Sequence, residues 1–196
     1  MKPLISNVEV FGLERSVKTA KYPMSVDVDI LNSEITDGIN KLAQSGTGEG
    51  HDQFLTGITV YFDLTCTNKM WVEAERYNYL EFISSQSTMH RITRMKLDDD
   101  AFSPYVLTHV KDTFKSIVNI YNENVEKGVD QEELKERYLT VLYNCPAGLR
   151  LTAGMVTNYR QLKTIYKQRK NHRLPEWREF CDWIKTLPHS EWITGE

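Results

Sequence analysis

A chain of 196 residues with a net charge of −3 is long enough for one globular domain. Forty per cent apolar residues, ten tyrosines and four tryptophans exclude a disordered chain. With 24 Lys and Arg against 27 Asp and Glu there is no global basic field, so binding to a nucleic-acid polymer is not expected, and any anion has to be met by local arginines. The N-terminus lacks an apolar signal stretch and no apolar run approaches the length of a membrane span, so a soluble, cytoplasmic protein is expected.

In chain order, "ISNVEVFG" (5–12) alternates as an opening strand. "SEITDGINKLAQ" predicts a helix with an Asn or Ser cap and Ile35, Ile39 and Leu42 on one side. The glycine-rich "SGTGEGHDQFLTG" predicts a loop reaching His51, with a helical turn starting near Asp52. "ITVYFDLTC" (58–66) is the best strand, with Ile58, Val60, Phe62 and Leu64 on one face. "NKMWVEAERYNYLEF" returns to helical spacing, and the serines after it end that helix.

A long helix is expected from "SPYVLTHVKDTFKSIVNIYNENVEKG", capped by Ser103, with Pro104 in its first turn and Gly128 as its stop. "DQEELKERYLTVLYN" predicts another, with Asp130 as cap and Leu134, Tyr138, Val141 and Leu142 on its packing face. Pro146 and Gly148 break the chain. "TNYRQLKTIYKQRKNH" then reads as a basic helix in which Leu162, Ile165 and Tyr166 pack while Arg160, Lys163, Lys167 and Arg169 project. "LPEWREFCDWIKTL" closes the set with a seam of Trp177, Phe180, Cys181 and Ile184. The sum is an α+β, helix-rich chain with one small sheet.

Arginine matches phosphate through its planar fork, so Arg160 and Arg169 read either as a nucleotide clamp or as a solvated cationic face. "GTGEGH" lacks the lysine of a triphosphate-binding loop and the glycine spacing of a dinucleotide fold. The five histidines form no local pair with metal-ligand spacing, so no metal is expected. Ser84, Ser85 and Ser87 sit in no nucleophile elbow, which leaves Ser87 as a hydrogen-bonding residue for an anion. Cys66, Cys145 and Cys181 are widely spaced and odd in number, as buried thiols would be.

Taken together, "GHDQFLTGITVYF", "SSQST", "CPAGLRLTAGMVTNYRQLKTIYKQR" and "NHRLPEW" resemble, in order, the Gly-His loop and strand, the serine turn, the proline break with its Asn-x-Arg helix, and the final stretch of the flavin-dependent thymidylate synthases. The family's Arg-His-Arg signature reads Tyr77, Asn78 and Tyr79 here, with Arg76 beside it. The resemblance implies a single domain over 1–196 with a small antiparallel sheet, a homotetramer with shared sites, and FAD-dependent transfer of a one-carbon unit to dUMP. NADPH and methylene-tetrahydrofolate would be co-substrates. It implies that Arg169 and Ser87 act in catalysis and that Gln86, Ser87, Arg91 and Arg169 bind substrate. His51, Asn158, Arg160 and Arg76 would bind the cofactor. The alternatives are a homologue acting on a different pyrimidine nucleotide, and a non-catalytic assembly protein that binds no ligand and whose Arg160 and Arg169 are tied up by surface glutamates.

Overall fold

A computed structural model describes residues 2–46 and 48–196. Four strands form one antiparallel sheet: β1 (Ile5–Phe11), β2 (Thr59–Thr67), β3 (Glu81–Ser85) and β4 (Arg150–Asn158), in the order β1-β2-β4-β3. β2 and β4 pair over their whole lengths, from Thr59 opposite Asn158 to Thr67 opposite Arg150. Ile58, Val60, Phe62 and Leu64 are all buried, as their alternation predicts.

The helices are α1 (Leu13–Ala20), α2 (Asp37–Ala43), α3 (Asn68–Ala74), α4 (Thr88–Arg91), α5 (Thr108–Glu126), α6 (Gln131–Tyr143), α7 (Tyr159–Arg169), α8 (Pro175–Ile184) and α9 (Glu191–Thr194). One core lies between the sheet and α7 and α8, where Phe62 and Met155 meet Leu162, Ile165, Trp177 and Phe180. A second core sits under the α5–α6 pair, around Phe114, Val118, Val141, Ile92 and Phe102. Among the described residues no helix is long and apolar enough to cross a membrane.

Four features differ from expectation. The helix expected through residue 82 stops at Ala74, and β3 follows. Phe82 pairs with Met155 across the sheet and stacks on Trp71 at 4.5 Å, so tertiary pairing overrides the helical spacing. The long helix begins at Thr108, not at Ser103; Ser103 and Pro104 instead belong to a turn closed by Val106 N donating to Ser103 O at 3.0 Å. β4 has no counterpart in the sequence reading, because Pro146 and Gly148 read as breakers while its backbone groups are satisfied by strands on both sides. The cap of α2 is Thr36, whose Oγ1 accepts from Ile39 N at 3.4 Å, in place of Asn or Ser.

The turn between β1 and α1 depends on one glycine. Gly12 has φ of +81°, and a Cβ there would collide with the carbonyl oxygen of Gly57. Gly12→Ala is therefore expected to lower stability by about 2 kcal/mol, read from the urea unfolding midpoint.

Candidate functional site

Helices cover the sheet face that carries Phe62 and Met155. The opposite face holds Tyr61 (42% exposed) and Ile83 (58% exposed), and Arg150 and Thr152 belong to it by strand alternation. At the Arg150 end of this face lies a cavity of about 620 Å³. Gln86, Ser87, Arg91 and Arg94 line one side of it, and Lys2, Thr65, Arg150 and Thr152 line another. Its volume is in the range of small-ligand sites.

The turn that carries Gln86, Ser87 and Arg91 is held in place from both directions. Gln86 N donates to Thr152 O at 3.0 Å, and Thr152 N donates to Gln86 Oε1 at 2.9 Å, so the glutamine extends the sheet. From the helical side, Tyr138 of α6 donates to Met89 O at 2.8 Å, and Asn122 of α5 donates through Nδ2 to Thr93 O at 3.0 Å. The α5–α6 pair is thus the support on which this rim rests. Ser87 occupies the N-cap position of α4, and its hydroxyl makes no cap bond. It is available to a ligand.

Arg150 is fixed by its backbone surroundings. Its Nη2 donates to Lys2 O at 3.0 Å and to Thr65 O at 3.1 Å. Its Nη1 is shielded from solvent and has no hydrogen-bond partner. Lys96 and Asp98, also on the wall, pair at 2.8 Å.

The remaining expected site residues lie outside the cavity lining. Asn158, eight residues further along β4 and so roughly 26 Å from Arg150, caps α7 by accepting from Gln161 N at 2.9 Å. Arg160 does not project into solvent. Its Nε donates to Asp52 Oδ1 at 3.0 Å and its Nη1 to Gln53 Oε1 at 2.7 Å. Lys163 donates to the other Asp52 oxygen at 3.0 Å and to the carbonyls of Ala43 and Ser45. The buried Asp52 explains why two cations of the basic helix turn inward. His51 and Arg76 are exposed.

Arg169 also turns inward. Its Nη1 donates to Glu73 Oε2 at 2.9 Å and its Nε to the Tyr77 hydroxyl at 2.8 Å. Its guanidinium lies over the rings of Trp177 and Tyr77, at 4.8 and 5.5 Å. Glu73 Oε2 further accepts from Trp177 Nε1 at 3.1 Å and faces His172 Nε2 at 3.4 Å. Tyr77, at the first position of the altered signature, is therefore a partner of Arg169.

The four residues expected to hold FAD do not make a cradle within one chain. Asn158 and Arg160 are spent on the fold, and no described cavity gathers them with His51 and Arg76. Among the described residues no group of three His, Cys, Asp or Glu side chains could hold a metal ion. Burial pushes the Cys145 and Cys181 thiols up to about 11, and raises Cys66 as well. Thiols held protonated at neutral pH are poor nucleophiles, so native protein is expected to react slowly with a disulfide reagent and urea-unfolded protein rapidly.

The sequence reading missed Arg150, Asp52 and Glu73. The alternation of Leu151, Ala153, Met155 and Thr157 was the available signal for Arg150, since it places that residue on the opposite face. No local pattern marks Asp52 or Glu73, whose partners are 108 and 96 residues away.

No protein-family model matches the chain, and no curated protein matches it by sequence. Solved structures do match. A flavin-dependent thymidylate synthase (ThyX) from Helicobacter pylori, complexed with FAD and dUMP, superposes with a TM-score of 0.67 at 12% identity, covering 97% of this chain and 98% of that one. A second structure of ThyX from Helicobacter pylori with FAD and dUMP gives 0.69 at the same identity and coverage. The protein thus has a helix-rich α+β fold with a small antiparallel sheet, similar to that of these flavin-dependent thymidylate synthases.

Proposed function

We propose that the protein binds a pyrimidine nucleotide, dUMP or a close relative, with its phosphate in the cavity beside Gln86, Ser87 and Arg91. The supporting observation is that these three residues, picked out by the sequence resemblance as substrate ligands, line one cavity with further cations around it. A guanidinium fork and a free hydroxyl are suited to phosphate oxygens, since charge-assisted bonds are short and directional. Gln86 contributes through its side-chain amide nitrogen, because its carbonyl oxygen is occupied by Thr152 N. Titration with dUMP followed by calorimetry tests the reading. Arg91→Ala is expected to weaken binding by roughly 10- to 100-fold, the worth of one charge-assisted hydrogen bond. A flat isotherm for the unaltered protein would sink the proposal.

The finer reading is FAD-dependent transfer of a one-carbon unit to the uracil ring, with NADPH and methylene-tetrahydrofolate as co-substrates in a homotetramer. Its support is the fold likeness to enzymes solved with FAD and dUMP. In such chemistry the flavin supplies the redox step and the protein orients and stabilises. His51 and Arg76, exposed in one chain, would have to meet the cofactor in the assembled oligomer. Purified protein that is colourless, stays colourless after incubation with FAD, and runs as a monomer would exclude this reading.

A second reading is a homologue that keeps the nucleotide site but acts on another pyrimidine nucleotide. It is favoured by Tyr77, Asn78 and Tyr79 in place of the Arg-His-Arg signature. Arg160 paired with Asp52, and Arg169 with Glu73, is instead what the non-catalytic reading expects. Binding of dUMP without formation of thymidylate, in the presence of FAD and both co-substrates, would favour the homologue.

A further inference from the structure

The cavity carries more positive charge than a nucleoside monophosphate can neutralise. Lys2, Arg91, Arg94, Lys96 and Arg150 line it against Asp98 and Asp100, five cations to two carboxylates, an excess of three. Asp98 is matched by Lys96. A terminal phosphate monoester carries about −1.5 to −2 at neutral pH, and a second phosphate in the chain brings the total to about −3.

The cations are also arranged in two groups. Arg91 and Arg94 belong to the turn after β3, whereas Arg150 and Lys2 belong to the sheet side. Gln86 is clipped to Thr152, and Arg150 lies two residues back along β4 on the same face, roughly 7 Å away. Arg150 cannot swing freely, because two carbonyls hold its Nη2. Its Nη1, solvent-shielded and unpartnered, leaves part of the desolvation of this fixed cation uncompensated by the protein. An anion beside the guanidinium would offset that cost.

We infer that the cavity is built for a nucleoside diphosphate: the phosphate nearer the sugar at Gln86, Ser87 and Arg91, and the terminal phosphate toward Arg150 and Lys2. This rests on the nucleotide reading above. A dinucleotide such as FAD also contains a pyrophosphate, but it has two charges there and no terminal phosphate, so it matches the excess less well.

Calorimetric titration at low ionic strength with dUMP, dUDP and FAD, in the presence of a chelator, tests the assignment. The expected result is dUDP binding on the order of tenfold more tightly than dUMP, from the added charge-assisted contact. Arg150→Gln and Lys2→Gln should each shrink that ratio toward one while dUMP affinity changes less. Circular dichroism checks folding of Arg150→Gln, and Lys2→Gln, on an exposed residue, stands if that variant unfolds. Binding of dUMP equal to or tighter than dUDP, or of FAD tighter than both, would overturn the diphosphate assignment and leave nucleotide binding intact. Absence of binding by either nucleotide would overturn both.

Discussion

Asp52→Ala is expected to cost about 3 kcal/mol of folding stability, read from urea unfolding curves. Asp52 is 2% exposed, and each of its oxygens holds a cation at 3.0 Å: Arg160 on one, Lys163 on the other. Through Lys163 the contact extends to the carbonyls of Ala43 and Ser45 at the end of α2. Removing the carboxylate leaves Lys163, with 14% of its side chain exposed, without a counter-charge. Arg160, at 34%, can recover some hydration, which places the estimate at the lower end of the range for broken buried pairs. Asp52→Asn keeps one acceptor for Arg160 and should lose less. A loss below about 1 kcal/mol for the alanine variant would mean that the cluster behaves as an ordinary surface pair.

This cluster marks the boundary of what the sequence discloses. The face of β2, the packing stripe of α7 and the seam of α8 are periodic patterns, each determined by residues within a few positions, and all of them bury as expected. That Gln86, Ser87 and Arg91 line one cavity is local in the same way, because they lie within six residues of one another in the chain. Which arginines face a ligand is a different kind of question. Arg160 and Arg169 sit on a helix whose spacing points them outward, yet the carboxylates of buried Asp52 and half-buried Glu73, about a hundred residues away, draw them in. β4 was missed because its small residues carry little intrinsic strand preference, and two neighbouring strands supply the pairing that local propensity does not. That omission also hid Arg150.

Arg169→Ala is the variant that separates the role the sequence resemblance implies for this residue from its structural one. The guanidinium is held by Glu73 at 2.9 Å and by the Tyr77 hydroxyl at 2.8 Å, and it covers the ring of Trp177. Its side chain is 16% exposed and that of Glu73 is 21% exposed, so the pair is largely shielded from water. Truncation removes the pair and the cation–π contacts, and leaves Glu73 with only the Trp177 indole and His172 near the same oxygen. The expected loss is about 3 kcal/mol, again by urea unfolding. Because Arg169 does not line the cavity, dUMP affinity measured well below the unfolding midpoint should change by no more than about twofold. Glu73→Gln should lose less stability than Arg169→Ala, since its amide oxygen can still accept from the guanidinium. A fall in dUMP affinity of tenfold or more in Arg169→Ala, with stability unchanged, would show the opposite. It would mean that the arginine leaves Glu73 and Tyr77 to meet the pyrimidine, as the sequence resemblance implies.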